Sequence, residues 1–222
     1  MQQFVTHFPE FPLAFQDVIA NDRLNKRPRK QPDLATEMEM TTSVVKALRE
    51  TPEIALDVLA FSMLQLTEAD SAGVSLLGRL AGHHVLLWEA AAGSCSQYLG
   101  STVRYDESPS GPVLSADSIM LMVAPGKAYK SAARISPPIR EILIAPFHVQ
   151  SLPVGTVWVT SQGKKSFDAE DARVIKNMSE MAALAYLIHS ELGHLEALRT
   201  AVQVATDKPF SFFLQKNLKT FS

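Results

Sequence analysis

The sequence predicts an α+β fold, a small antiparallel sheet backed by helices. The stretch from Pro137 to Ile175 reads as strand, tight turn, strand, short polar loop and capped helix. An earlier stretch, Ala72 to Ala90, repeats the pattern of strand, turn and strand. Helical patterns with their own start signals stand before the first strand and after the last.

From the N-terminus, Phe11 to Leu24 is expected to contain a short helix. A basic, proline-containing stretch follows, Arg23 to Lys30, and is read as a solvated linker. No aromatic residues interleave with these cations, which argues against nucleic acid. Asp33 can cap a helix running to about Glu50, in which Met38, Val45 and Leu48 recur at helical spacing. Thr51-Pro52-Glu53 restarts the chain as a second helix to about Glu68. Ile54, Leu56, Val58, Leu59, Phe61, Met63, Leu64 and Leu66 make that helix apolar on most of its circumference, so it belongs between layers.

Strands are expected at Ala72–Leu77 and His84–Ala90, with Gly78 to His83 as the turn. Gly93 to Leu99 reads as a short helix, and 100–137 is the least regular part, with a weak signal at Ile119 to Val123. Two further strands follow at about Glu141–Val149 and Val154–Ser161, with Pro153 and Gly155 flanking the turn region. Asp168 and Asp171 form an acidic capping arrangement that opens the last helix. The helical pattern then runs to about residue 206, on the order of 58 Å of helix. Met181, Ala185, Ile188, Leu192 and Leu195 give it a three–four apolar seam, which predicts a helical dimer. The tail from Phe210 to Ser222 is apolar enough to dock on the domain or on a partner.

Composition sets bounds on function. The chain has 222 residues, 46% hydrophobic and 20% charged, as expected of a protein with a real core. A net charge of −2 gives no global attraction to nucleic acid or an acidic membrane. Cys95 is the one cysteine, so no disulfide forms within a chain, and a cytoplasmic location fits best. The N-terminus lacks the pattern of a secretory signal, and no apolar run is long enough to span a membrane. His83 and His84 are adjacent and point to opposite faces of a strand, so they do not make a metal site. No nucleophile elbow or phosphate loop is present, and no catalytic residue is assigned.

The segments Ala69–Leu77, Pro137–Pro146, Val154–Val159 and Ser166–Asp171 carry a family resemblance. Over roughly residues 35–190 the chain resembles a GAF domain of the kind found in bacterial sensor histidine kinases. The resemblance implies a six-stranded antiparallel sheet, terminal helices on one face, and a ligand pocket on the other. It also implies that residues 92–137 roof the pocket. Within the cyclic-nucleotide signature, Phe167 and Asp171 match but Ala172 replaces the final glutamate, which argues against such a ligand. Cys95 lacks the following histidine of bilin-binding relatives and is read as a small buried or half-buried thiol. A single cysteine also cannot run the two-cysteine cycle of methionine sulfoxide reduction.

Alternation places Thr156, Trp158 and Thr160 on one face of their strand and Val157 and Val159 on the other. The valine face suits the helices and the Thr–Trp–Thr face a pocket wall. Arg104, Arg134 and Arg140 are read as solvated. The expected pocket residues are Trp88, Tyr98, Ser108, Ser110, Phe147 and Trp158. The expected organisation is an N-terminal arm and linker over 1–34, a sensory domain over 35–190 and a signalling extension over 191–222. The expected function is non-catalytic sensing of a small ligand of unknown identity, passed through a homodimer to a signalling protein such as a histidine kinase. The alternative is a ligand-free interaction or dimerisation module.

Overall fold

The computed structural model describes the backbone of residues 18–206 and the side chains of residues 18–193. The chain enters along a short helix, α1 (Asp22–Lys26), and continues into α2 (Leu34–Glu50) and α3 (Ala55–Thr67). A hairpin follows, β1 (Ser71–Leu80) and β2 (His83–Gly93), then β3 (Thr102–Arg104), α4 (Ser110–Ala116), β4 (Met120–Val123) and α5 (Lys130–Ala133). A second hairpin, β5 (Glu141–Val149) and β6 (Leu152–Ser161), leads into α6 (Ala169–Thr206). All six strands join one antiparallel sheet in the order β3-β2-β1-β6-β5-β4. Among the described residues a first compact unit runs to Ala185, within α6, and a second begins at Tyr186.

Two helices, α2 and α6, start at side-chain caps. The Asp33 carboxylate accepts the Thr36 amide at 3.1 Å. At α6 the cap is reciprocal: Asp168 Oδ1 accepts the amides of Glu170 and Asp171, and Asp171 Oδ2 accepts the amide of Asp168 at 2.9 Å. Thr51 contributes no side-chain cap, and the restart rests on Pro52 and on Glu53 in the first turn. The buried stripe of α2 is Val44, Ala47 and Leu48. Met38 and Val45, expected to share the buried face of Leu48, are exposed at 72% and 49%. The α3 helix packs between α2 and strands β1 and β2, burying Ala55, Leu59, Ala60 and Met63 and leaving Phe61 outside.

Both hairpins close more tightly than the sequence suggests. Strand β1 continues through the expected turn, and only Ala81 and Gly82 separate Leu80 from its partner His83. Gln150 and Ser151 alone separate Val149 from Leu152, so Pro153 and Gly155 lie inside β6. All four turn residues have positive φ, the mirror-image turn that matches strand twist. Pro146 sits inside β5 beyond the residues paired with β4, where the strand has a ladder on one side only.

The N-terminal segment is held to the domain: within the expected solvated linker Arg27 is mostly buried against Glu141, while Arg23 and Lys26 are exposed as expected. Ile19 bridges Met122, the Ala20 amide donates to Leu121 O at 2.8 Å, and the Leu121 amide donates to Asn21 Oδ1 at 2.7 Å. This covers the edge strand β4, whose unpaired backbone would otherwise invite association. The expected start of a helix at Phe11 and the tail from Phe210 lie outside the described residues. The expected 93–99 helix is one 3₁₀ turn, Ser96–Tyr98. Among the described residues no helix is long and apolar enough to cross a membrane.

Candidate functional site

The register of β1, β6 and β5 sorts the side chains between two faces. Ala72, Val74, Val157 and Val159 are buried on the side where α3 packs. Ser75, Trp158, Thr160, Ile142 and Ile144 lie on the other face, beneath the segment that contains α4, β4 and α5. The alternation read from Thr156 to Thr160 is the alternation observed.

Trp158 is the centre of this second face. Its register partner is Gly73, and a Cβ at Gly73 would stand 2.3 Å from the indole Cζ2. The absence of that side chain gives the ring its place. The indole Nε1 donates to Ser75 Oγ at 3.0 Å, and the ring of Trp88 tilts against it with centroids 4.8 Å apart. Tyr98 meets Trp88 edge-on at 6.1 Å. The polar and aromatic groups therefore fix one another's orientation.

A cavity of about 20 Å³ remains between these rings and the roof. Trp88, Ser108, Ser110 and Trp158, four of the six expected pocket residues, line it. Tyr98 stands one layer behind Trp88, its hydroxyl accepting the Ser136 amide at 3.3 Å. Phe147 is buried at the Gly155 position of the β5–β6 pair, outside the lining. Ser75, Ser131, Ile135, Ile139, Ile142 and Thr160 also line it. Thr160 was legible from strand alternation. Ile135, Ile139 and Ser131 were not, because their segment has no periodicity to read, and Ile142 lies on the expected strand Glu141–Val149 but was not singled out. No lining residue carries a charge. A wider depression of about 610 Å³ lies where the N-terminal segment meets β4, with Asp22, Arg23 and Lys127 on its rim. Asp22 is already paired with Lys26 at 2.7 Å.

Hydrogen bonds fasten the roof. Ser110 Oγ lies 2.9 Å from Thr156 Oγ1, tying α4 to β6. Ser131 Oγ donates to Glu107 O at 2.8 Å, tying α5 to the turn before α4. The Tyr105 hydroxyl donates to Gly111 O, and burial pushes its pKa up to about 12. Thr160 Oγ1 is the exception, buried with no nitrogen or oxygen partner. Cys95 is buried, its thiol among the hydroxyls of Ser71, Ser94 and Thr160, and burial pushes its pKa up. Such a thiol is a poor nucleophile. Arg104 is held by Asp106 at the surface, and Arg140 donates to Gly163 O.

The expected dimer seam is divided. Ala185 is buried in the first unit, Met181 and Ile188 are half-buried, and Leu192 is exposed. The side chain of Leu195 lies outside the described residues. Leu184 on α6, and Leu34, Met38 and Val45 on α2, are exposed apolar groups that the seam did not include.

No family model and no curated protein sequence matches the chain. Solved structures do match in fold. The GAF domain from a phosphoenolpyruvate-protein phosphotransferase of Coxiella burnetii superposes with a TM-score of 0.56 at 16% identity, covering 76% of this chain and 99% of its own. The free methionine-R-sulfoxide reductase from Neisseria meningitidis, in complex with its substrate, gives 0.57 at 12% identity, covering 75% and 97%. The phycoerythrobilin-bound GAF domain from a cyanobacterial phytochrome gives 0.52 at 11% identity, covering 75% and 100%. The chain has a GAF-type fold, and since one of those structures holds a reductase substrate and another phycoerythrobilin, the fold assigns no ligand.

Proposed function

We propose that this chain is a non-catalytic regulatory domain that acts through helical contacts with a partner, its chamber closed by its own side chains. The size of the chamber carries this reading. A cavity of about 20 Å³ has room for about one water, whereas pockets for organic ligands measure roughly 300–1,000 Å³. The hydrogen-bonded roof and the interlocked indoles support it further. The exposed apolar groups of α2 and α6 supply contact surface. A second copy is the first partner we assign to it, and a cytoplasmic signalling protein such as a histidine kinase the next. The regulatory unit in this reading includes residues 18–34, because Val18 and Leu24 are buried in it.

The small-ligand sensor has one observation in its favour. Thr160 Oγ1 is a buried hydroxyl at the cavity wall without a nitrogen or oxygen partner, and buried polar groups are normally satisfied. The uncharged lining limits such a ligand to a small neutral molecule that enters as the roof moves.

Native mass spectra of the gently purified protein, taken before and after denaturation, separate the readings. The module reading expects a dimer that releases nothing. A released organic molecule in stoichiometric amount overturns it in favour of the sensor. Sedimentation of a chain lacking residues 190–222 tests the helical contact, with weaker association expected and an unchanged mass refuting it.

A further inference from the structure

The segment from Val18 to Lys30 touches two places that the proposed function treats separately. At one end Val18 packs in the apolar cluster that also contains Ile135, Ile139, Ile142 and Trp158, the walls of the chamber. Met122, bridged by Ile19, belongs to the same cluster.

At the other end are three basic residues. Arg27 donates from both terminal nitrogens to Glu141, at 2.9 and 2.7 Å, and to Phe167 O at 2.6 Å. Arg29 donates twice to Glu170 Oε2, at 3.0 and 2.6 Å. The Lys30 amide donates to Asp168 Oδ2 at 3.0 Å. Asp168 is the cap of α6 and Glu170 lies in its first turn. Glu170 also holds Arg173, whose guanidinium reaches Glu37 of α2.

The two ends are joined by a stiff piece. Asp22–Lys26 is helical and tied by its own ion pair, so little slack lies between them. The Arg27–Glu141 pair is a forked, mostly buried contact with fixed geometry.

We propose that Val18–Lys30 is a strap that couples the chamber wall to the first turn of α6. A rearrangement at Val18 and Met122 moves the strap, and Arg27, Arg29 and Lys30 deliver the movement to Glu141, Glu170 and Asp168. The strap acts whether the chamber is filled by a ligand or by its own side chains. It gives the first turn of α6 a direct attachment to the wall of the cavity.

Hydrogen–deuterium exchange on the full chain tests the coupling in a mutant cycle. Val18→Ala perturbs the chamber end, and Arg27→Gln with Arg29→Gln removes the two guanidinium attachments at the α6 end, leaving the Lys30 amide bond. Val18→Ala is expected to raise exchange several-fold both at residues 120–123 and at 170–175. In the Arg27→Gln/Arg29→Gln background it still acts at 120–123 but its effect at 170–175 is expected to fall several-fold. The proposal is overturned if Val18→Ala leaves 170–175 as in the wild type. It is equally overturned if the effect there is the same in both backgrounds, or spreads evenly over β1 and β2. Should Val18→Ala fail to fold, Val18→Thr, which keeps the side-chain shape, is read by the same criteria.

Discussion

Replacing Gly73 with alanine places a methyl carbon 2.3 Å from Trp158 Cζ2 and 2.5 Å from the carbonyl oxygen of Ala90. Carbon atoms rest at about 3.5–4.0 Å, so the ring must retreat by more than about 1 Å. It has nowhere to go without breaking the Nε1–Ser75 bond or driving into Trp88. The Ala90 oxygen belongs to the main chain of β2 and yields even less. Overpacking of a tight core costs about 1–3 kcal/mol, and the upper end applies because two unyielding neighbours are struck at once. For a domain of this size that lowers Tm by roughly 6–12 °C. Gly78 on the same strand is the control, since its added methyl meets only Val85 Cγ2, at 3.9 Å. Scanning calorimetry of Gly73→Ala, Gly78→Ala and Gly73→Ala/Trp158→Phe makes the measurement. Phenylalanine is expected to recover only part of the loss, because the Ala90 contact remains. If Gly73→Ala melts within about 2 °C of the wild type, the indole is not fixed and the rigid chamber wall is refuted.

Thr160→Val removes the buried hydroxyl without a nitrogen or oxygen partner and is expected to stabilise the domain by about 1 kcal/mol. A lower Tm shows instead that the hydroxyl is satisfied, by the neighbouring Cys95 thiol or by a bound water or ligand. Arg27→Ala strands Glu141, whose side chain is 8% exposed, and is expected to cost about 3–5 kcal/mol in urea unfolding. A loss below about 1 kcal/mol refutes a buried ion pair there. Hydrogen bonds from the Arg173 guanidinium hold Glu37 and Glu170 below their ordinary pKa of 4.5. The unfolded chain then binds more protons, so their contribution is complete above that value and is lost as pH falls through the lowered folded values. Asp171, pushed up by burial, acts in the opposite sense. The stability difference between the wild type and Arg173→Gln is therefore expected to shrink between about pH 6 and about pH 3. An equal difference at both ends contradicts this assignment.

What the sequence revealed follows the range of the forces involved. Asp168 and Asp171 cap α6 through bonds two and three residues long, and such signals are local. The Thr–Trp–Thr alternation needed only the pleat, which is why one wall of the chamber could be read in advance. β3 and β4 have three and four residues, too few to show a period. The strap was missed for a different reason. Arg27 and Glu141 are 114 residues apart, and a basic run whose partners lie that far off looks like a solvated one. Met38 and Val45 misled because spacing identifies a stripe but not the element that covers it.

The chain has two tryptophans, and both are in the chamber wall with ring centroids 4.8 Å apart. Its tryptophan emission therefore originates at the one place where an occupant, a trapped water or a shifted roof would act. At that separation the indole transitions couple, so near-ultraviolet circular dichroism should carry a paired band sensitive to their mutual angle. The protein contains its own unlabelled optical probe of the chamber, which can follow titration of a compound library, or the strap variants, in real time.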